Sequence, residues 1–364
     1  MYLKNISISG FKNISDGDIN FASKINCITG INGAGKTNLL EAVYYLSMTK
    51  GYSSQSDCNA INRDSDSSTI HATYRRDEEV SDTILLYMDR GGSKIVKKNG
   101  KKYARLSDHV GTIPIVMVSP YDTCLINESG EERRKYMNFI LSQLDREYLR
   151  RIQNYNHLLM QRNKLLKSDN LNKDLLYTLN FQMEENAGYI YSSRNEFSRK
   201  VLPLVSKYYN ALSGGKEEVS IEYRSDLQRG TLSSLLADNE GKDRLLGFTS
   251  RGVQRDDLVF IMDGFKFKVG GSQGQQKSFL ISLKLAQFEI IRELTGKYPL
   301  LLLDDVFDKL DINRVSSLLN MVSESTFGQI FITDSNKVRI SDILASVSGE
   351  SALLEVKEGV INRI

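Results

Sequence analysis

The sequence predicts an α/β protein, a parallel sheet with its helices, preceded by an antiparallel β portion and interrupted by an inserted helical lobe. Three observations predict it. "KINCITGINGAGKTNLLEAVYYLSMTK" at residues 24–50 runs from a buried strand through a glycine-rich turn into a helix. "PLLLLDD" at residues 299–305 is an apolar strand that ends in two carboxylates. Between them, residues 131–212 contain a single proline, Pro203, and a single glycine, Gly188, with apolar residues at helical spacing.

In chain order, "MYLKNISISGFKN" alternates, with Ile6 and Ile8 on one face, and reads as a strand rather than a signal peptide. Next, Gly30, Gly35, Lys36 and Thr37 satisfy the phosphate-loop spacing. Glycines let the backbone approach phosphate oxygens, and the amides of residues 32–37 converge on an anion at a helix N-terminus, where unpaired donors and the helix dipole favour negative charge. Lys36 adds a point charge and the Thr37 hydroxyl suits magnesium. "TILLYMDRGGSKIVKKNGKKY" is a meander with Gly-Gly and Asn-Gly turns, followed by the buried strand "IPIVMVS". The helical segment carries a stripe of Tyr136, Ile140, Leu144, Tyr148, Ile152, Tyr155 and Leu159. Strands return at "EVSIEYRS" and "LVFIMDGFKFKV", the latter turning at Asp263-Gly264, and the last hundred residues alternate helix and strand.

Two further segments carry chemistry. On the acidic strand, Asp304 is placed to hold a magnesium ion and Asp305 to orient or deprotonate a water. "DKLD" at 308–311 echoes a guanine-reading motif, but its first residue is wrong and it follows the acidic strand directly. "GGSQGQQKSFLISLKLAQFEIIREL" opens a long amphipathic helix at Ser272-Gln273-Gly274-Gln275-Gln276, read either as a second anion-ready terminus or as a capped core helix.

Composition excludes several classes. The 364 residues are 40% hydrophobic and 26% charged, with 48 Lys and Arg against 45 Asp and Glu, an ordinary balance that neither announces nor forbids a nucleic-acid partner. Cys27, Cys58 and Cys124 form no C-x-x-C pair, and His71, His109 and His157 are isolated, so neither a zinc framework nor a disulfide framework is expected. No apolar run approaches membrane-spanning length, and a cytoplasmic protein is expected.

The order of phosphate loop, Ser-x-Gly-Gln-Gln mouth, Leu-Leu-Leu-Leu-Asp-Asp and Lys-Leu-Asp resembles the ATPase head of the ABC superfamily. Its SMC-like DNA-repair branch, the RecF family, is the best match. "MYLKNISISGFKNI", "VSPYDTCLINESGEERRKYMNFILSQLD", "RDDL" at 255–258 and "LLLDDVFDKLD" carry the resemblance, from residue 2 to about residue 340. It implies a discontinuous head over residues 1–118 and 247–364 with an antiparallel β subdomain, and a mainly helical lobe over 119–246. It also implies ATP and Mg2+ as cofactors. Gly30, Asn32, Gly33, Ala34, Gly35, Lys36, Thr37 and Asn38 would bind ATP, with Lys12 and Asn13 near the base or phosphates. Thr37 and Asp304 would hold the metal, and Asp305, with Lys36, would be catalytic. Ser272, Gly274 and Gln276 would grip the terminal phosphate bound by a second copy, and Asp311 would lie in the interface loop.

The function implied is ATP-driven head-to-head dimerisation that clamps duplex DNA near single-strand gaps, with slow hydrolysis as the release step and recombination mediators such as RecR and RecO as partners. Arg133, Arg134, Arg150 and Arg151 are the candidate DNA contacts, although such runs also serve as solvated faces. The alternative is the ATPase subunit of a membrane transporter. Transporters, however, carry Leu-Ser-Gly-Gly-Gln and a switch histidine. Here "FITDSN" places Thr333 and Asp334 at the switch position. Two other departures are Gly252-Val253-Gln254, where the family commonly has Gly-Pro-His, and Glu131, where a proline is common. No clear glutamine for the magnesium-sensing loop is present, and Ser119 or Asp122 is the expected stand-in.

Overall fold

In a computed structural model, which describes residues 1–52, 56–76, 80–323, 327–346 and 349–364, the chain divides into two compact units. The first comprises residues 1–122, 211–213 and 273–364, and the second comprises 123–210 and 214–272.

The first unit opens with β1 (Tyr2–Phe11), β2 (Ile14–Asn20) and β3 (Ile25–Thr29), then α1 (Lys36–Met48) and the short α2 (Asp57–Ala60). β4 (Ser67–Arg75), β5 (Ser81–Asp89), β6 (Lys94–Lys98) and β7 (Lys101–Lys102) follow, and β8 (Ile115–Val118) ends this part. The meander joins the first strands in one antiparallel sheet, in the order β2-β1-β4-β5-β6-β7. Its strands alternate buried with part-exposed residues, as a sheet with one covered face must. Ile6 and Ile8 of β1 are both buried, and the β1–β4 register shifts between Leu3 and Asn5.

The second unit begins with the short α3 (Cys124–Asn127), then α4 (Gly130–Leu144), α5 (Arg146–Leu166) and α6 (Lys173–Ser213). The expected stripe crosses a helix break at Asp145, whose carboxylate caps α5 by accepting from the Glu147 amide at 2.8 Å. Tyr136, Ile140, Tyr148, Ile152 and Tyr155 are buried along it. Then come β9 (Val219–Arg224), α7 (Leu232–Asp238), α8 (Glu240–Leu246), β10 (Asp257–Met262), β11 (Phe265–Lys266) and the single turn α9 (Phe267–Gly270). Asp263 and Gly264 adopt positive φ of 48° and 80°, as the hairpin turn requires. The return strand, expected through "FKFKV", stops at Lys266 and coils into α9.

Residues 247–272, expected in the head, cluster with the second unit. The cause is pairing: β10 lies between β9 and β11 in a three-stranded antiparallel sheet, so the strands on either side of α7 and α8 stay together.

On returning to the first unit, the chain forms α10 (Gln273–Thr295), β12 (Leu300–Asp304), α11 (Ile312–Ser323), β13 (Ile330–Asp334), α12 (Lys337–Ser346), β14 (Ser351–Lys357) and β15 (Val360–Arg363). The second sheet of this unit has the order β15-β14-β3-β13-β12-β8, parallel except for the β15 edge. β3, β8, β12 and β13 are buried at every residue, which is why they read as mainly apolar runs without alternation. Register aligns Asp304 with Thr333 and Asp334 with Thr29, so the tips of β12, β13 and β3 end side by side.

Candidate functional site

Residues 30–35 connect β3 to α1 through a turn with positive φ at Gly30, Gly33 and Gly35. At Gly35 (φ 117°) a Cβ would stand 2.7 Å from Asn13 Oδ1, so the loop closes only around glycine. Asn13 braces this turn: its Nδ2 donates to the Ala34 carbonyl at 3.0 Å, and its Oδ1 accepts from Asn38 Nδ2 at 2.7 Å. Asn13 and Asn38 therefore shape the loop. The Gly359 amide, from the β14–β15 turn, donates to the same Ala34 carbonyl at 2.9 Å. Asn32 and Gly33 form the exposed crest.

Lys36, the first residue of α1, is buried, and its Nζ donates to the carbonyls of Gly30 at 2.9 Å and Ile31 at 3.2 Å. Its charge thus sits over the loop at a helix N-terminus, where an anion is favoured. Lys12 (φ 52°) ion-pairs with Glu41 of α1. Burial holds its pKa below the ordinary lysine value, against the opposing field of Asp304.

Thr37 reaches across to the acidic strand, its Oγ1 lying 3.0 Å from both carboxylate oxygens of Asp304. The Thr333 hydroxyl donates to Asp304 Oδ1 at 2.8 Å and accepts from the Asp305 amide at 2.9 Å. One side chain from β13 therefore orients both aspartates. Burial pushes the Asp304 carboxyl up in pKa, against its hydrogen bonds from Thr333 and Thr37. Asp305, half-buried and at a positive φ of 45°, is also pushed up by burial, with Lys36 opposing.

A hydroxyl and a carboxylate at this distance are hard oxygen donors of the kind magnesium takes. Among the described residues no group of three or more His, Cys, Asp or Glu could hold a metal ion. The pair thus suits a cation held jointly with a phosphate and waters, which is how magnesium is commonly bound.

At the start of α10, Ser272 is exposed just ahead of the helix and Gln276 is part-exposed in its first turn. Gly274 packs on the loop after β12: a Cβ there would lie 3.1 Å from Arg314 Nη1 and 3.5 Å from the Lys309 carbonyl. Lys277 Nζ donates to the carbonyls of Asp305 at 2.9 Å and Asp308 at 2.6 Å. Asp311 accepts from the Arg314 amide at 2.9 Å and ion-pairs with Arg314 Nε at 3.3 Å, capping α11.

The remaining expected residues have these surroundings. Asp122 is buried, ion-paired with Lys284 at 2.9 Å and hydrogen-bonded by the Tyr52 hydroxyl, contacts that anchor α10. Its Oδ2 also accepts from the Ser119 amide at 2.8 Å. Arg133 spends its guanidinium inside the second unit, on Asp257 at 2.6 and 3.1 Å and on the Leu125 carbonyl at 2.8 Å. Arg134 donates to the Asp256 carbonyl at 2.9 Å. These guanidinium contacts tie α4 to the start of β10. Arg150 and Arg151 share Glu147, and Arg151 also pairs with Glu185 at 2.7 Å. Arg150 remains the open member, with 61% of its side chain exposed.

"RDDL" acquires a structural explanation. Asp256 Oδ2 accepts from Arg194 Nη1 and from the Tyr223 hydroxyl, each at 2.6 Å, and all three residues are buried. Asp257 holds Arg133. Both carboxylates are internal fasteners of the second unit.

The profile of the RecF/RecN/SMC N terminal domain matches residues 2–349. DNA replication and repair protein RecF of Bacteroides fragilis is 40% identical over 365 aligned residues, covering 100% of this chain and 99% of the relative. RecF of Porphyromonas gingivalis is 41% identical, covering 99% and 100%. A solved structure of the recombination mediator protein RecF-ATP in the RecFOR pathway superposes with a TM-score of 0.89 at 29% identity, over 100% of this chain and 97% of that one. Full-length matches of this kind, on a chain whose phosphate loop faces an acidic strand, show that it belongs to the RecF family of SMC-like, ABC-type ATPases.

Proposed function

We propose that this chain is an ATP-dependent DNA-binding switch of recombinational repair and replication restart. ATP binding drives head-to-head dimerisation that clamps duplex DNA near single-strand gaps, and slow hydrolysis releases it. The observation that carries the reading is the Thr37–Asp304 pairing at 3.0 Å, which joins the phosphate loop to the acidic strand. It is supported by relatives named as DNA replication and repair proteins along their full length. Those same matches favour repair over the transporter alternative.

In this reading the backbone amides around Gly30, Asn32, Gly33, Ala34 and Gly35, with those of Lys36, Thr37 and Asn38, cradle the phosphates, and Lys36 neutralises their charge. Asn13 and Asn38 keep the cradle's shape, and Lys12 stands near its rim. Thr37 and Asp304 hold magnesium, which supplies charge neutralisation at the phosphates. Asp305 accepts a proton from the attacking water at its carboxylate. Ser272, Gly274 and Gln276 engage the terminal phosphate bound by a second copy, beside the Asp311 loop. Arg150 and Arg151 contribute phosphate contacts to DNA, and mediators of the RecR and RecO type are the protein partners.

Sedimentation with and without ATP, each with and without gapped duplex, tests this reading. ATP is expected to shift the chain to a dimer and to raise its DNA affinity, and Lys36→Met to remove both effects. A chain that stays monomeric with ATP, or binds duplex equally in both states, rejects it.

A further inference from the structure

Asp305 is held in an unusual way. It is a non-glycine residue at a positive φ of 45°, a strained conformation that persists where its surroundings hold it. The peptides on both sides of its Cα are gripped. The amide donates to Thr333 Oγ1 at 2.9 Å, and the carbonyl accepts from Lys277 Nζ at 2.9 Å. The second grip comes from the first turn of α10, one residue after Gln276, and Lys277 also reaches the Asp308 carbonyl at 2.6 Å. Burial lowers the Lys277 pKa, with Asp308 and Asp305 among the charges opposing it, as befits an ammonium drawn into this loop.

We propose that Lys277, although carried on the mouth that faces a second copy's nucleotide, is a positioning residue for Asp305 of its own chain. Its ammonium pins the left-handed peptide of Asp305 and thereby aims the carboxylate at the water. The assignment rests on the dimer and on the role of Asp305 proposed above. It makes a distinction that a mouth residue would not. Loss of Lys277 damages the site whose phosphate loop lies in the same chain and leaves the mouth it offers to the other chain intact.

Mixed dimers read this directly. One chain carries Asp305→Asn, which silences its own site while keeping ATP bound, and the other chain has the single live site. Lys277→Met is placed either in the live chain or in the silenced one, and ATP affinity, dimer fraction and kcat are measured for each. In the live chain it is expected to lower kcat by about 10- to 100-fold, part of the 10²–10⁴-fold that a positioned base supplies, with ATP affinity and dimer fraction unchanged. In the silenced chain it leaves kcat within about twofold, and Lys277→Arg in the live chain restores much of the rate because it keeps a donor. Equal losses in both arrangements, a loss only in the silenced arrangement, no loss in either, or no recovery with arginine overturns the assignment. Failure of the unmodified chain to dimerise with ATP removes the dimer reading, and this assignment with it.

Discussion

Asp256→Ala is expected to destabilise the second unit by about 4 kcal/mol. Arg194 is almost wholly buried, and its guanidinium donates to Asp256 Oδ2 at 2.6 Å, the Val253 carbonyl at 2.7 Å, Asn138 Oδ1 at 3.0 Å and the Tyr148 hydroxyl at 3.1 Å. Removing the carboxylate leaves a buried cation facing only neutral dipoles, which costs about 3–5 kcal/mol. The Tyr223 hydroxyl loses its 2.6 Å acceptor as well, worth about 1–3 kcal/mol when the group stays dry. The two losses share one site and do not add fully. Taking both charges out of water offsets much of their mutual attraction, so the intact pair contributes little net stability and the cost arises from breaking it on one side. Arg194→Met with Asp256→Leu is therefore expected to recover most of the loss. Urea titration followed by hydrogen exchange at the amides of β9 and β10 assigns the change to the second unit, since a chain of two units need not unfold in one step. A loss below about 1 kcal/mol, or a double variant no more stable than Asp256→Ala, would refute the argument.

Three further outcomes are expected. Gly359→Ala would place a Cβ 2.0 Å from the Asn13 carbonyl oxygen at a φ of 81°, so the turn must move and release Ala34; equilibrium binding should show ATP affinity falling about tenfold or more, and parental affinity would show the brace to be dispensable. Thr333→Val removes the hydroxyl that serves both Asp304 and the Asp305 amide. kcat should fall about tenfold or more in a steady-state assay, while the folded fraction by circular dichroism stays near that of the parent. Finally, Asp305 must be ionised to accept a proton, and burial raises its pKa above the ordinary 3.8. Hydrolysis should therefore climb with pH through a midpoint above that value, and the climb should vanish in Asp305→Asn. Stability runs the other way for this group. Between the unfolded and the raised folded pKa the native state binds more protons, so its contribution is largest below that window and declines as pH rises through it.

What the sequence determined by itself follows from local constraint. A phosphate loop must have glycines at set offsets and a helix behind it, and a strand buried on both faces must be apolar along its length. Gly30, Gly35, Lys36, Thr37 and "LLLLDD" were legible for those reasons, as were the Asn-Gly and Asp-Gly turns. What the tertiary structure decided are pairings between residues far apart in the chain. Whether Arg133 meets the Asp257 carboxylate and Arg134 the Asp256 carbonyl depends on where β10 lies, more than a hundred residues away. The partners of Asp122, Lys284 and Tyr52, likewise lie far from it in the chain. Lys277 carries no local signal, and Thr333 carries only its place at the switch position. A threonine on a buried strand and a lysine in a helix's first turn are ordinary, and they gain meaning only because sheet order sets β13 between β3 and β12 and brings the start of α10 against the loop after Asp305. Local chemistry is written in spacing, whereas the grip on a strained aspartate depends on which elements become neighbours, and long-range packing alone settles that.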